Sequence, residues 1–584
     1  MSNIKLTFAR ISDSLSKKNN KKLFLALFAT LVLVVAIVAI VSSHKSSYDN
    51  NDKSTSHAII RSACSSTLYP ELCFSTIASE PSLSQKVSSH INVIELSLNK
   101  TIGIVQRNYF TIEKLLTRKG LTKRAKTALH DCLEIIDETL DELDKAKDDL
   151  KDYPSSKKSL PQQAEDLKTL ISSAITNQVT CLDGFSHAAA DKILRKFLDA
   201  GQVHAEHLCS NALAMTKNLT DTDMASYEKN KMVGSNNRKL MVNDKRYNKI
   251  IHWPEWISAV DRRLLQSGTV NPDVVVAADG SGNFRTVSAA VAAAPERSSK
   301  RYVIKIKAGV YRENVDVPSR KTNIMFLGDG RTKTIITASR NVVDGSTTFN
   351  SATVAVVGER FLARGITFQN AAGPSKHQAV ALRVGGDLSA FYLCGFIAYQ
   401  DTLYVHTNRQ FFVNCYIAGT IDFIFGNSAV VLQNCDIHAR RPNAGQKNMV
   451  TAQGRVDPNQ NTGIVIQKCR IGATKDLEAV KGTFPTFLGR PWKEYSRTVI
   501  MQSTISDVID PAGWFEWDGD FALNTLFYGE YQNTGAGAAT SKRVKWKGFK
   551  VITSATEAQS FTPGNFISGS SWLGSTGFPF SLGL

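Results

Sequence analysis

FYLCGFI (391–397), FVNCYIA (412–418), LQNCDIH (432–438) and IQKCRIG (466–472) each place a cysteine at the same phase of a short β-rich run. RGITFQN (364–370) and QSTISDV (502–508) keep that phase without the cysteine. Strand-length runs returning about once per 20 to 22 residues predict a solenoid with one coil per repeat. The pattern extends outward on both sides. From position 270 onward, β-branched runs at 274–276, 302–307, 323–327, 353–357 and 463–467 alternate with Gly, Asn, Asp and Pro turns, and helical periodicity nearly vanishes. Short apolar strands without intervening helices predict a right-handed parallel β-helix over 266–584. Residues one coil apart then stack at roughly 4.7–4.9 Å. Cys415 and Cys435 become neighbours in one column, so a Cys415–Cys435 disulfide is expected, with Cys394 and Cys469 as free core thiols.

The same period gathers chemistry. Gln378 and Gln400 are 22 positions apart, and Asp401 and Asp422 are 21 apart. One coil of separation makes two carboxylates and two amides a compact ridge on one face. Ester hydrolysis needs a nucleophile, a proton donor for the leaving alkoxide, and donors to an oxyanion. No GxSxG elbow occurs, which leaves carboxylates as the nucleophile class. Asp422 sits among Ile421, Phe423, Ile424 and Phe425, an unusual setting for an aspartate without a partner or a task. Two adjacent carboxylates push their pKa values apart, so one holds a proton while the other is ionised. Spacing alone equally allows two aspartates that cap turns.

The amino-terminal half has another grammar. At 584 residues the chain is too long for one ordinary domain. Residues 1–22 form a basic tail, and 23–41 are an unbroken apolar run long enough to cross a bilayer. Lys17, Lys18, Lys21 and Lys22 precede that run, so everything after it is expected to be translocated, with the run serving as leader or signal-anchor. Residues 42–57 read as a polar linker. Over 58–215 the apolar spacing turns helical: Leu129, Cys132, Leu133, Ile136, Leu140 and Leu143 recur at steps of three and four, opposite Glu134, Asp137, Glu138, Asp141 and Glu142. Four such segments predict an all-α up-and-down four-helix bundle. Cys64 and Cys73 flank a short turn, and Cys132 and Cys181 are placed to tie two helices, leaving Cys209 free. Asn99 and Asn218 open N-x-T glycosylation acceptors in a translocated chain.

Residues 216–265 are a polar linker with two basic tetrads. One is Arg238-Lys239-Leu240-Met241. The other, Arg262-Arg263-Leu264-Leu265, stands at the junction of the two grammars and suits a subtilisin-like processing protease. The formal charge of +18 predicts an acidic partner. Over 269–584 there are 33 Lys and Arg against 23 Asp and Glu, so the solenoid itself is basic. Translocation removes nucleic acid from the choices and leaves anionic lipid or an acidic polymer. No Cys/His cluster suggests a metal, and no motif calls for a cofactor.

Two resemblances sharpen these readings. CSSTLYPELC (64–73), ALHDC ending at Cys132 and NQVTC ending at Cys181 resemble the inhibitor domain that plants use against invertases and pectin methylesterases. GVYRE (309–313), QAVAL (378–382), QDTLY (400–404), IDFIFG (421–426) and LGRPW (488–492) resemble the signature blocks of plant pectin methylesterases, in order, across roughly 270–584. RRLL (262–265) is similar to the processing site of their precursors. The resemblance implies removal of methyl esters from the C6 carboxyl of galacturonate in pectin. Asp422 would be the nucleophile and Asp401 the proton donor and later base, while Gln400 and Gln378 would serve the oxyanion. Arg490 would orient Asp422, and Trp492, Tyr404, Phe425 and Thr348 would bind substrate. It also implies secretion to the cell wall, a pro-region that silences the enzyme until processing, and binding of proteinaceous inhibitors. A polygalacturonase or lyase on the same solenoid, and a binding protein whose bundle is the active part, remain the competing readings.

Overall fold

A computed structural model describes residues 51–79, 87–155, 157–186, 189–235 and 271–584. The apolar run at 23–41 and both basic tetrads lie outside these residues. Among the described residues no helix is long and apolar enough to cross a membrane.

Two short helices, α1 (Asn51–Cys64) and α2 (Pro70–Ala78), precede α3 (His90–Leu116), α4 (Lys123–Lys151), α5 (Leu160–Asp183) and α6 (Ala189–Ser235). Residues 51–57, read as linker, therefore already belong to α1, which Ser56 ties down by donating to the Val87 carbonyl at 3.2 Å. The long helices start where the sequence provides caps. The side chains of Ser89, Thr122 and Ser159 accept from the backbone N–H groups of Asn92, Ala125 and Gln162. Helix α3 packs on α4 and α6, and α5 on α4 and α6, closing a four-helix bundle. Cys64–Cys73 links α1 to the first turn of α2, and Cys132–Cys181 staples α4 to α5. Cys209 is a free buried thiol.

From Val274 the chain visits three parallel sheets in rotation. Sheet one has 11 strands, sheet two 8 and sheet three 7, and every strand pairs with the equivalent strand of the next coil. This is a parallel β-helix. Its lumen is filled by columns of stacked side chains. Phe391 lies on Phe412 at 4.6 Å, and Phe326, Phe361 and Phe391 continue the same aromatic file. The bend from sheet one to sheet two uses one left-handed residue per coil: Leu393, Asn414, Asn434, Lys468, Gln502 and Gln532, with φ between 48° and 56°. Asparagine enters that region most cheaply, and elsewhere neighbouring coils hold the residue there.

The expected Cys415–Cys435 bond is not formed, because both residues are free, buried thiols alongside Cys394 and Cys469. The column itself exists. Tyr416 registers on Gly395 and on Asp436, which stacks the preceding cysteines. At one phase of parallel strands, however, the Cα–Cβ bonds run parallel, and the β-carbons do not converge to the roughly 3.5–4.5 Å that a disulfide needs. Each thiol donates to a carbonyl instead: Cys415 to Val413 at 3.4 Å, Cys435 to Gln433 at 3.5 Å and Cys469 to Leu432 at 3.3 Å.

Candidate active site under the helical bundle

Sheet three carries the site. Its strands Leu382–Val384, Leu403–Val405, Ile424–Gly426, Asn448–Gln453 and Thr486–Pro491 stack in that order. Leu403 registers on Ile424, so Asp401 and Asp422, each two residues earlier, occupy equivalent places on consecutive coils. The Asp401 N–H donates to the Ile421 carbonyl at 3.0 Å, which locks the two turns together. Both aspartates adopt left-handed backbone, with φ of 63° and 51°. Strain of this kind concentrates at functional sites and is sustained by its surroundings. Both carboxyls are buried, at 7% and 6% exposure.

Their electrostatics differ. Burial pushes the Asp401 carboxyl well above its ordinary value, the Asp422 charge pushes it the same way, and Arg490 opposes both. Asp422 is held by the Arg490 fork, with Nε donating to Oδ1 at 2.8 Å and Nη2 to Oδ2 at 2.6 Å. A carboxyl whose burial favours the protonated form thus sits beside a carboxylate held in a bidentate pair. Gln400 adjoins Asp401 in the same turn, and its carbonyl accepts from the Ala379 N–H at 3.2 Å, which brings the Gln378 segment alongside. Both glutamines are half-buried.

An aromatic floor surrounds the pair. Tyr404 stacks on Phe425 at 4.3 Å, and Phe425 meets Trp492 edge-on at 6.0 Å. Thr348 immediately precedes a one-turn helix, Phe349–Ser351, whose first residue packs into this floor. Phe349 and Trp517 also join it, and neither had been singled out from sequence. Phe349 lies in a turn without periodicity, and Trp517 lies far along the chain from every motif. Gly454 is necessary here, because a β-carbon at that position would come within 2.8 Å of the Trp492 ring.

Helices α4 and α5 lie across the floor. Ile135 of α4 packs with Phe349, Tyr404 and Phe425. Thr180 of α5 shares a hydrogen bond with His406 at 3.0 Å, and Asp183 pairs with Lys493 at 3.0 Å. A small cavity of about 10 Å³ lies between Thr176, Val179, Thr180 and Asp183 on one side and Tyr404, Asn427 and Trp492 on the other. Part of the polar face of α4 is therefore turned to the solenoid: Asp131, Glu138 and Glu142 are buried, while Glu134, Asp137 and Asp141 stay exposed. Asp131 accepts from Thr347 and Asn350, and Glu142 accepts from Ser173 and from Asn408 of the solenoid.

Comparison with known proteins agrees with this architecture. The pectinesterase family model matches residues 273–570, and the plant invertase/pectin methylesterase inhibitor model matches 58–215. Pectinesterase 1 of Citrus sinensis is 69% identical over 100% of both chains. Pectinesterase/pectinesterase inhibitor U1 of Solanum lycopersicum is 67% identical over 98% of this chain and 100% of its own. The solved structure of pectin methylesterase from carrot is 79% identical with a TM-score of 0.54, covering 55% of this chain and 100% of that one, so a chain of solenoid length folds by itself. With a β-helix and a helical segment each matched by its own family model, the chain belongs to the pectinesterase family and carries an inhibitor-family segment ahead of the enzyme.

Proposed function

We propose that the chain hydrolyses C6 methyl esters of galacturonate in pectin through an aspartate nucleophile. The observation that carries this reading is the unequal pair: Asp401, pushed toward its protonated form by burial, beside Asp422 in the grip of Arg490. An Asp422 carboxylate oxygen attacks the ester carbonyl carbon. The side-chain N–H groups of Gln400 and Gln378 receive the oxyanion. As the intermediate collapses, the carbonyl–methoxy bond breaks and Asp401 gives its proton to the departing oxygen, releasing methanol. The resulting anhydride on Asp422 is opened by water, whose proton goes to Asp401 as base, restoring both groups. Trp492, Tyr404 and Phe425 offer faces for sugar rings at the subsites, and Thr348 contributes a hydroxyl at the rim.

The reading includes control. With α4 and α5 over the aromatic floor, the ring faces that would receive a polysaccharide are covered, so the bundle acts as an internal inhibitor. Cleavage at Arg262-Arg263-Leu264-Leu265 by a subtilisin-like protease would release it. Separate inhibitor proteins of the same family would take the vacated place. The apolar run at 23–41 would direct the rest into the secretory pathway, as a leader or as a type II anchor in the precursor, on the way to the cell wall. Asn99 and Asn218 would be glycosylated there; both are exposed.

Methanol release by the 270–584 domain from methyl-esterified pectin tests the activity. The expected result is methanol with unchanged polymer length, abolished in Asp422→Ala with the fold retained. New reducing ends would identify a polygalacturonase, and unsaturated ends a lyase. Equal rates for cut and uncut chains would remove the internal inhibitor.

A further inference from the structure

The register of sheet three places one residue per coil along the groove floor: Ala355, Arg383, Tyr404, Phe425, Ala452 and Arg490 follow one another. Arg490 has its partner in Asp422. Arg383 stands in the same column, two coils and roughly 10 Å before Phe425, and no step of the reaction uses it.

Its setting is unusual. Arg383 is 3% exposed, and its guanidinium lies 3.4 Å over the Phe349 ring. Nη2 donates to Glu134 of α4 at 3.1 Å, whereas Nε and Nη1 are buried without a hydrogen-bond partner among the described residues. A desolvated guanidinium with most of its donors unused is costly, and its planar fork is shaped to take a carboxylate through two parallel bonds. Glu134 supplies one bond from a side chain that is itself 47% exposed. The cation is thus built into the floor, and its present partner is provided by the bundle.

We propose that Arg383 is a carboxylate subsite of the groove, taking the free C6 carboxylate of an already de-esterified galacturonate unit, and that Glu134 occupies that place in the uncut chain. The inference rests on the pectin methylesterase reading. Methyl-esterified galacturonate is neutral and the product unit is an anion, so a buried cation about two sugar units from the catalytic pair separates the two. Partly de-esterified polymer becomes the better substrate, and the bundle presents a carboxylate where the polymer presents its own.

The test uses the 270–584 domain as wild type, Arg383→Gln and Arg383→Lys. Methanol release is measured on fully and half-esterified pectin, and inhibition is measured with a galacturonate hexamer as free acid and as full methyl ester. The expected loss of kcat/KM in Arg383→Gln is about tenfold greater on half-esterified than on fully esterified pectin, and appears mainly in KM. The free-acid hexamer should inhibit wild type at about tenfold lower concentration than it inhibits Arg383→Gln, with Arg383→Lys between them. Equal losses on both pectins with unchanged inhibition overturn the subsite. Should the variants not fold, wild type decides: a free acid no more inhibitory than its methyl ester overturns it, and a tighter free acid supports it. Wild type that releases no methanol from either pectin removes the underlying activity, and the subsite with it.

Discussion

Arg490 and Asp422 are joined by two parallel hydrogen bonds, at 2.8 and 2.6 Å, and the guanidinium rests on the Trp517 ring at 4.3 Å. The carboxylate is fixed in direction. A lysine keeps the charge and loses the fork. Arg490→Lys is therefore expected to lower kcat by about a hundredfold while the thermal unfolding temperature moves little. Methanol-release kinetics beside calorimetry check this, and a kcat within threefold of wild type would mean the fork is dispensable.

Asp401 is raised first by burial and then by the neighbouring Asp422 charge. Replacing Asp422 with Asn removes the second cause, so the apparent pKa of Asp401 should fall toward the ordinary range, as read by carbon-13 titration of its carboxyl. A raised carboxyl favours folding most at low pH, and that contribution fades as pH rises through the folded-state value. The wild-type solenoid should accordingly lose stability on the alkaline side and the Asp422→Asn variant less so. An unshifted Asp401 would show that the two groups are not coupled.

Asp131 and Glu142, on the docked face of α4, are both pushed up to about 7 by burial from ordinary values of 3.8 and 4.5. Docking stability from such groups is complete below their free values and is lost as pH climbs through 7, on the order of 3 kcal/mol each. The rate of the uncut chain, divided by that of the released domain, is expected to rise at least about tenfold between pH 5 and 8. Glu142→Gln should flatten the rise. A ratio independent of pH would contradict the prediction.

Gly454 faces the ring of Trp492 at a distance that admits no β-carbon. Gly454→Ala should displace the indole and raise KM for pectin several-fold with a smaller effect on kcat, in a protein that still folds. An unchanged KM would show that Trp492 does not meet the polymer.

The solenoid was legible because its period is written into short pieces, and the cysteine phase at 394, 415, 435 and 469 gave the stacking directly. What those thiols do was not legible. Repeat spacing fixes how far apart two cysteines stand, whereas bonding depends on the direction of each Cα–Cβ bond, which parallel strands share. The Asp401–Asp422 pair followed from the interval between them. Arg383 follows the same arithmetic, 21 positions before Tyr404, but it hides within an apolar strand and belongs to no short motif. Amphipathic spacing identified α4 correctly. Asp131, Glu134 and Glu142 reach the solenoid while Asp137 and Asp141 stay exposed, a division set by the second domain that no pattern within the helix contains.

The helices that lie over the aromatic floor are all encoded before the strands that build it. A ribosome delivers the cover first, and domains generally fold in order of emergence. The cover therefore exists before the floor it lies across, and the groove is roofed as its last coils wind into place.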